Sequence, residues 1–172
     1  MRTGIVSIVL AGLLTAGCVS PRATQSNSGS ADLKNLRRVQ LVVTDSVNSS
    51  YSREGLPLFE GLLQGKLQSE GYTVVTNDPE LTLAVTVNEF SAGNRTLRTV
   101  VGFGAGRAVL KFKADFKDPA GQVLAGFEGG KAYHGTELVD NPTFKTDEST
   151  RMGLISYSVS QIGEFIEKNG KL

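Results

Sequence analysis

Three features of this sequence predict an α+β fold, a single domain with a mixed, mostly antiparallel sheet of four to five strands and two helices packed on one face. Short β-branched segments carry apolar residues at alternate positions, two longer segments carry them every three or four positions, and a Pro/Gly turn joins two of the strand-like segments. With 172 residues, 40% of them apolar and 20% charged, the chain can bury one core without disulfide staples.

The elements follow in order. Arg38 to Asp45 (RVQLVVTD) is a β-branched run that reads as a buried first strand. A loop of Asn, Ser and Gly follows, and Pro57 opens a helix with Leu58, Phe59, Leu62, Leu63 and Leu67 on one stripe and Gly71 at the C-terminal cap. Tyr72 to Thr76 is a short strand, Asn77-Asp78-Pro79 turns the chain, and Leu81 to Phe90 places Leu81, Leu83, Val85 and Val87 on one face. Between Ala108 and Lys117 the alternation is cleanest: Leu110, Phe112, Ala114 and Phe116 face one way, and Lys111, Lys113, Asp115 and Lys117 face water. Asp118-Pro119-Ala120-Gly121 is a hairpin turn, and Gln122 to Glu128 returns, with Gly129 to Gly135 a weak, glycine-broken extension. A second helix spans Arg151 to Lys168 after the acidic start Asp147-Glu148, with Met152, Ile155, Val159, Ile162 and Ile166 inward and Asn169-Gly170 at its end. The strand–helix–strand start calls for a parallel crossover and the later strands for antiparallel pairing, with a small barrel-like sheet as the alternative.

Residues 1–17 read as a signal peptide. Arg2 precedes an 11-residue uncharged run, Gly4 to Leu14, too short for a bilayer core that needs about 20 apolar residues. Ala16-Gly17-Cys18 then resembles a bacterial lipobox, with Thr15 where Leu is commonest, so Cys18 is the expected site of acylation and the first mature residue. Val19 rather than Asp follows, and resemblance to enterobacterial lipoproteins implies from this lack of a retention signal the periplasmic face of the outer membrane rather than the inner membrane. Residues 18–35 form the expected lipidated tether, Ser-, Asn- and Gly-rich from Val19 to Ser30, and 36–172 the periplasmic domain.

Charge and residue types narrow the chemistry. A formal net charge of +1 provides no broad field for nucleic acid. Gly102-Phe103-Gly104-Ala105-Gly106 has close glycines, but the spacing departs from the dinucleotide fingerprint, a strand rather than a helix follows, and no Gly-Lys-Ser/Thr is present. Arg95, Arg98 and Arg107 bracket that stretch, so with Gly102, Gly104 and Gly106 they form a candidate loop for carboxylate, phosphate or headgroup; the plainer reading is solvated arginines on a connection. His134 is the only imidazole and Cys18 the only thiol, which argues against a zinc site, and no Gly-x-Ser-x-Gly elbow accompanies His134 with Glu137 or Asp140. No catalytic residue, metal site or cofactor is expected.

Gly71-Tyr72-Thr73-Val74-Val75, Leu81-Thr82-Leu83 through Asn88-Glu89-Phe90, Gly93-Asn94-Arg95 with Leu97-Arg98, the glycine stretch 102–106 and the turn 118–121 form a recognisable pattern. Through them the stretch from about Arg38 to Lys168 resembles a family of small bacterial envelope lipoproteins, domain of unknown function 4410. The resemblance implies an envelope location and a compact domain, and it carries no known activity or catalytic residues to transfer. The element order is also similar to the small α/β domains of periplasmic assembly and secretion lipoproteins, an analogy of fold alone. Two function classes stand open. One is a noncatalytic outer-membrane lipoprotein that binds another envelope component, accessory to a transport or secretion assembly. The other is a module binding a lipid headgroup, a glycan or a peptidoglycan fragment. The membrane is a partner through Cys18 in both, and the oligomeric state is open.

Overall fold

The computed structural model describes residues 24–26, 33–93, 106–133 and 146–170. Five strands come from the expected domain: β2 (Arg38–Asp45), β3 (Thr73–Val74), β4 (Leu81–Ser91), β5 (Ala108–Lys117) and β6 (Val123–Tyr133). A three-residue β1 (Thr24–Ser26) from the segment read as tether adds a sixth on the outer edge, giving the order β1-β6-β5-β4-β2-β3. The sheet is open, so the barrel alternative does not hold. β2 pairs parallel with β3 and β4, while β4–β5, β5–β6 and β6–β1 are antiparallel. Two helices, α1 (Ser50–Ser69) and α2 (Asp147–Gly170), pack against each other and against one face of the sheet.

α1 begins well before Pro57. Ser49 caps it by accepting the Ser52 N–H at 3.0 Å, and Pro57 lies inside the helix. The proline removes the N–H that would bond the Arg53 carbonyl, and both residues are exposed, so water can satisfy that group. The buried row is Ser52, Gly55, Phe59, Leu63 and Leu67; Leu58 and Leu62 point outward, 36% and 38% exposed. α2 is longer than expected at its start. Thr146 and Ser149 cap it reciprocally, each backbone N–H donating to the other's hydroxyl at 3.1 and 3.0 Å. Its buried residues include Leu154, Ile155, Ser158, Val159, Ile162, Phe165 and Ile166, while Met152 is exposed.

Two strand expectations also change. Val42 is exposed, because β2 has helices on one face only and a period of two sends every second side chain to the bare side. β6 runs unbroken through its glycines, which are there for space: a Cβ on Gly129 would sit 2.6 Å from Phe112 Cζ, and Gly130 has φ +147° against the Leu110 carbonyl. The core carries a chain of rings across both layers. Phe59 of α1 tilts against Phe112, Phe112 meets Phe127 edge-on at 5.6 Å, and Phe165 of α2 stacks on Phe127 at 4.5 Å and on Phe116 at 5.4 Å. Leu33, in a single 3-10 turn, Leu33–Asn35, also enters the core, so burial begins upstream of residue 36.

Candidate functional site

One end of the sheet carries the described part of the candidate loop, Gly106 and Arg107. β4 finishes there at Ser91, β5 starts at Ala108, β6 finishes at Tyr133, and both helices begin there, joined where the Tyr51 hydroxyl donates to the Asp147 carbonyl at 3.3 Å. The connection between β4 and β5 leaves through a narrow mouth. Gly93 and Gly106 have φ of +70° and +69°, and a Cβ on Gly93 would collide with the carbonyl oxygens of Gly106 and Arg107. Of the candidate loop, Gly106 and Arg107 are described; Arg95, Arg98, Gly102 and Gly104 lie outside the described residues, as do Cys18, His134, Glu137 and Asp140.

A bulge sets the charges at this mouth. Val87 lies opposite Phe112 and Glu89 opposite Lys111, which leaves Asn88 as the extra residue. The bulge turns Phe90 into the core and Glu89 onto the bare face, where its carboxylate takes Lys111 Nζ at 2.6 Å and Arg107 Nη2 at 3.7 Å. Two cations thus share one anion, with side chains about half exposed. Further along the same face Lys113 pairs with Asp115 at 2.9 Å, in keeping with a wet strand face. On the helix side Lys131 lies over the rings of Tyr133 and Tyr157 at 5.4 and 5.3 Å. Arg151 binds Glu54 at 2.7 Å and covers the Tyr51 ring at 4.5 Å, and that ring meets Phe90 edge-on.

A second polar cluster was not legible in the sequence, where residues 46–56 read as loop. Asp45 Oδ1 accepts the N–H groups of Val47 and Asn48 at 2.8 and 3.1 Å, and Oδ2 accepts the Ser52 hydroxyl at 2.8 Å. Burial pushes the Asp45 carboxyl up, but the Ser52 hydroxyl, the two backbone donors and Arg53 together outweigh it and hold the group below its ordinary value. The carboxylate ties the β2–α1 turn to the first turn of α1. Among the described residues no three His, Cys, Asp or Glu side chains converge as a metal site, and no helix is long and apolar enough to cross a membrane.

An open mixed sheet with two helices on one face and a pinched β4–β5 connection defines the class: a small helix-covered α+β domain. Residues 48–136 match the family model described as Domain of unknown function (DUF4410), and the chain belongs to that family. No curated protein matches it in sequence. In fold it is similar to the dodecamer of a point variant of PelC from Paraburkholderia phytofirmans, with TM-score 0.55 and 14% identity over 87% of this chain and 96% of that one. A second PelC dodecamer structure from the same organism gives TM-score 0.54 and 12% identity, over 87% and 97%. A minor lipoprotein from Acinetobacter baumannii aligns with TM-score 0.43 and 14% identity, over 78% and 94%.

Proposed function

We propose that this chain is an outer-membrane lipoprotein, acylated at Cys18 and facing the periplasm, whose domain is a noncatalytic interaction module of an envelope transport or secretion assembly. The observation that carries the reading is the fold match to PelC, which runs along nearly the whole of both chains and whose structures are dodecamers. The lipobox-like Ala16-Gly17-Cys18 supplies the anchor in this reading. The pairs Asp45–Ser52, Glu89–Lys111 and Glu54–Arg151 support it too, because they serve a helix start and two ion pairs. Self-association is part of the proposal: α1 shows water a face with Leu58 and Leu62 beside Gly61 and Gly65, and a Cβ on either glycine would meet nothing within 4 Å.

The test is crosslinking and affinity capture of the full-length protein from its native membranes, with Cys18→Ser as the control and Leu58→Glu/Leu62→Glu as a surface variant. A discrete envelope complex containing several copies of the chain, recovered only from the anchored form and reduced at least tenfold by the α1 substitutions, is the expected result. A monomer with no companion protein would overturn the reading.

A further inference from the structure

The direction of β1 determines where an anchored domain sits relative to its membrane. β1 lies antiparallel to β6 with Thr24 opposite Glu128 and Ser26 opposite Gly126, so the chain upstream of Thr24 heads toward the Tyr133 end of β6. That is the end with the pinched Gly93/Gly106 mouth, Arg107, Lys111 and Lys131. Cys18 precedes Thr24 by six residues, a span of at most about 20 Å for a fully extended chain. From Glu128 to the end of β6 at Tyr133 is five residues, about 17 Å along the strand. The anchor atom can therefore project only a few ångströms past the end of the sheet.

We propose that β1 holds the tether so that the domain rests end-on against the bilayer, with the Arg107–Lys111–Lys131 end facing phospholipid headgroups. The claim rests on the acylation of Cys18 proposed above. Arg107, Lys111 and Lys131 offer guanidinium and ammonium donors matched to phosphate groups, while Glu89, bonded to Lys111 and Arg107, and the helix-start acids Asp147 and Glu148 share this end, so the direction of the tether rather than net charge selects it. If β1 were not paired, the free span would run from Cys18 to Leu33, with an r.m.s. reach of roughly 20 Å and a contour of about 50 Å, and no particular end would meet the membrane.

The test places a fluorophore on Ser91→Cys, exposed at the near end, or on Ala120→Cys, exposed in the hairpin turn about 30 Å away. The full-length acylated protein is reconstituted in phosphatidylethanolamine/phosphatidylglycerol vesicles that carry nitroxide on the headgroup. Strong quenching at Ser91→Cys and little at Ala120→Cys is expected. Insertion of ten Gly/Ser residues after Pro21 should abolish most of the Ser91→Cys quenching without touching the fold, and Gln25→Pro/Ser26→Pro, which breaks β1, should do the same. Equal quenching at both labels, or quenching that survives the insertion, would overturn the proposal. Palmitate incorporation separates the two claims: an acylated protein without near-end quenching refutes the docking alone, and loss of incorporation in the unaltered chain refutes docking and anchor together.

Discussion

Phe127→Ala is the sharpest probe of the architecture. Phe127 is 1% exposed on the helix-facing side of β6, stacked on Phe165 at 4.5 Å with 17° between planes and edge-on to Phe112 at 5.6 Å. Truncating a buried Phe to Ala costs about 3–5 kcal/mol through lost transfer energy and the cavity left behind, and the two ring pairs place this site toward the upper half, about 4 kcal/mol. For an ordered unit of roughly 120–140 residues the unfolding entropy is about 0.25–0.3 kcal/mol/K, so the melting temperature should fall by roughly 15 °C. The matched control is Val42→Ala on the bare face, 39% exposed, with an expected loss under about 1 kcal/mol. Thermal melts and urea titrations on both variants, with Phe165→Ala and Phe127→Ala/Phe165→Ala to close the cycle, measure all three quantities; the stacked pair should couple by about 1 kcal/mol. A Phe127→Ala loss below about 1.5 kcal/mol, or one no larger than that of Val42→Ala, would refute the assignment of helices to this face.

Gly130→Ala should lower stability by at least about 2 kcal/mol, because φ +147° disfavours an L side chain and the new Cβ would collide with the Leu110 carbonyl; melts within 3 °C of the parent, about 0.8 kcal/mol by the same conversion, would contradict the geometry. Acid sensitivity follows from two carboxylates. Backbone N–H groups of Arg38 and Arg37 hold Glu80 below its ordinary range, and Asp45 is lowered on balance by its donors against burial. Both are deprotonated more readily folded than unfolded, so their stabilisation is complete above about pH 4.5 and disappears as pH falls through the folded values. Asp45→Asn should lower the melting temperature at neutral pH and flatten its decline below about pH 4.5; an unchanged acid limb would show that Asp45 is not held as the anion.

The parts of the fold that were legible are those where burial and periodicity coincide. β5 alternates from Leu110 to Lys117 because it is central and bare on one face, so every inward position there is apolar and Lys111 and Lys113 stand outward. Where small residues do the packing, periodicity misleads. The inward row of α1 includes Ser52 and Gly55, whose value is space: a Cβ on Gly55 would lie 2.5 Å from Phe90 Cε1. A pattern search weighted by hydrophobicity passes over both and gathers Leu58 and Leu62 instead. Pro57 marks a helix start by default, and only the Ser49 cap, with Asp45 bonded to Ser52, identifies the earlier one.

The site depended on two things that side-chain patterning carries poorly. In Leu81 to Phe90 the parity of the apolar residues changes after Val87, and that change was the available signal of the bulge at Asn88: a flat strand would bury Glu89 and expose Phe90. The bulge avoids that cost and at the same stroke gives Glu89 to Lys111 and Arg107 and seats Phe90 against Tyr51. The second is strand direction. Nothing in Thr24-Gln25-Ser26 says which way it runs beside β6, since three polar residues have no apolar face to orient. Backbone pairing at the sheet edge selects that direction, and it alone points the start of β1 toward the Tyr133 end of β6 rather than toward the Asp118–Gly121 turn.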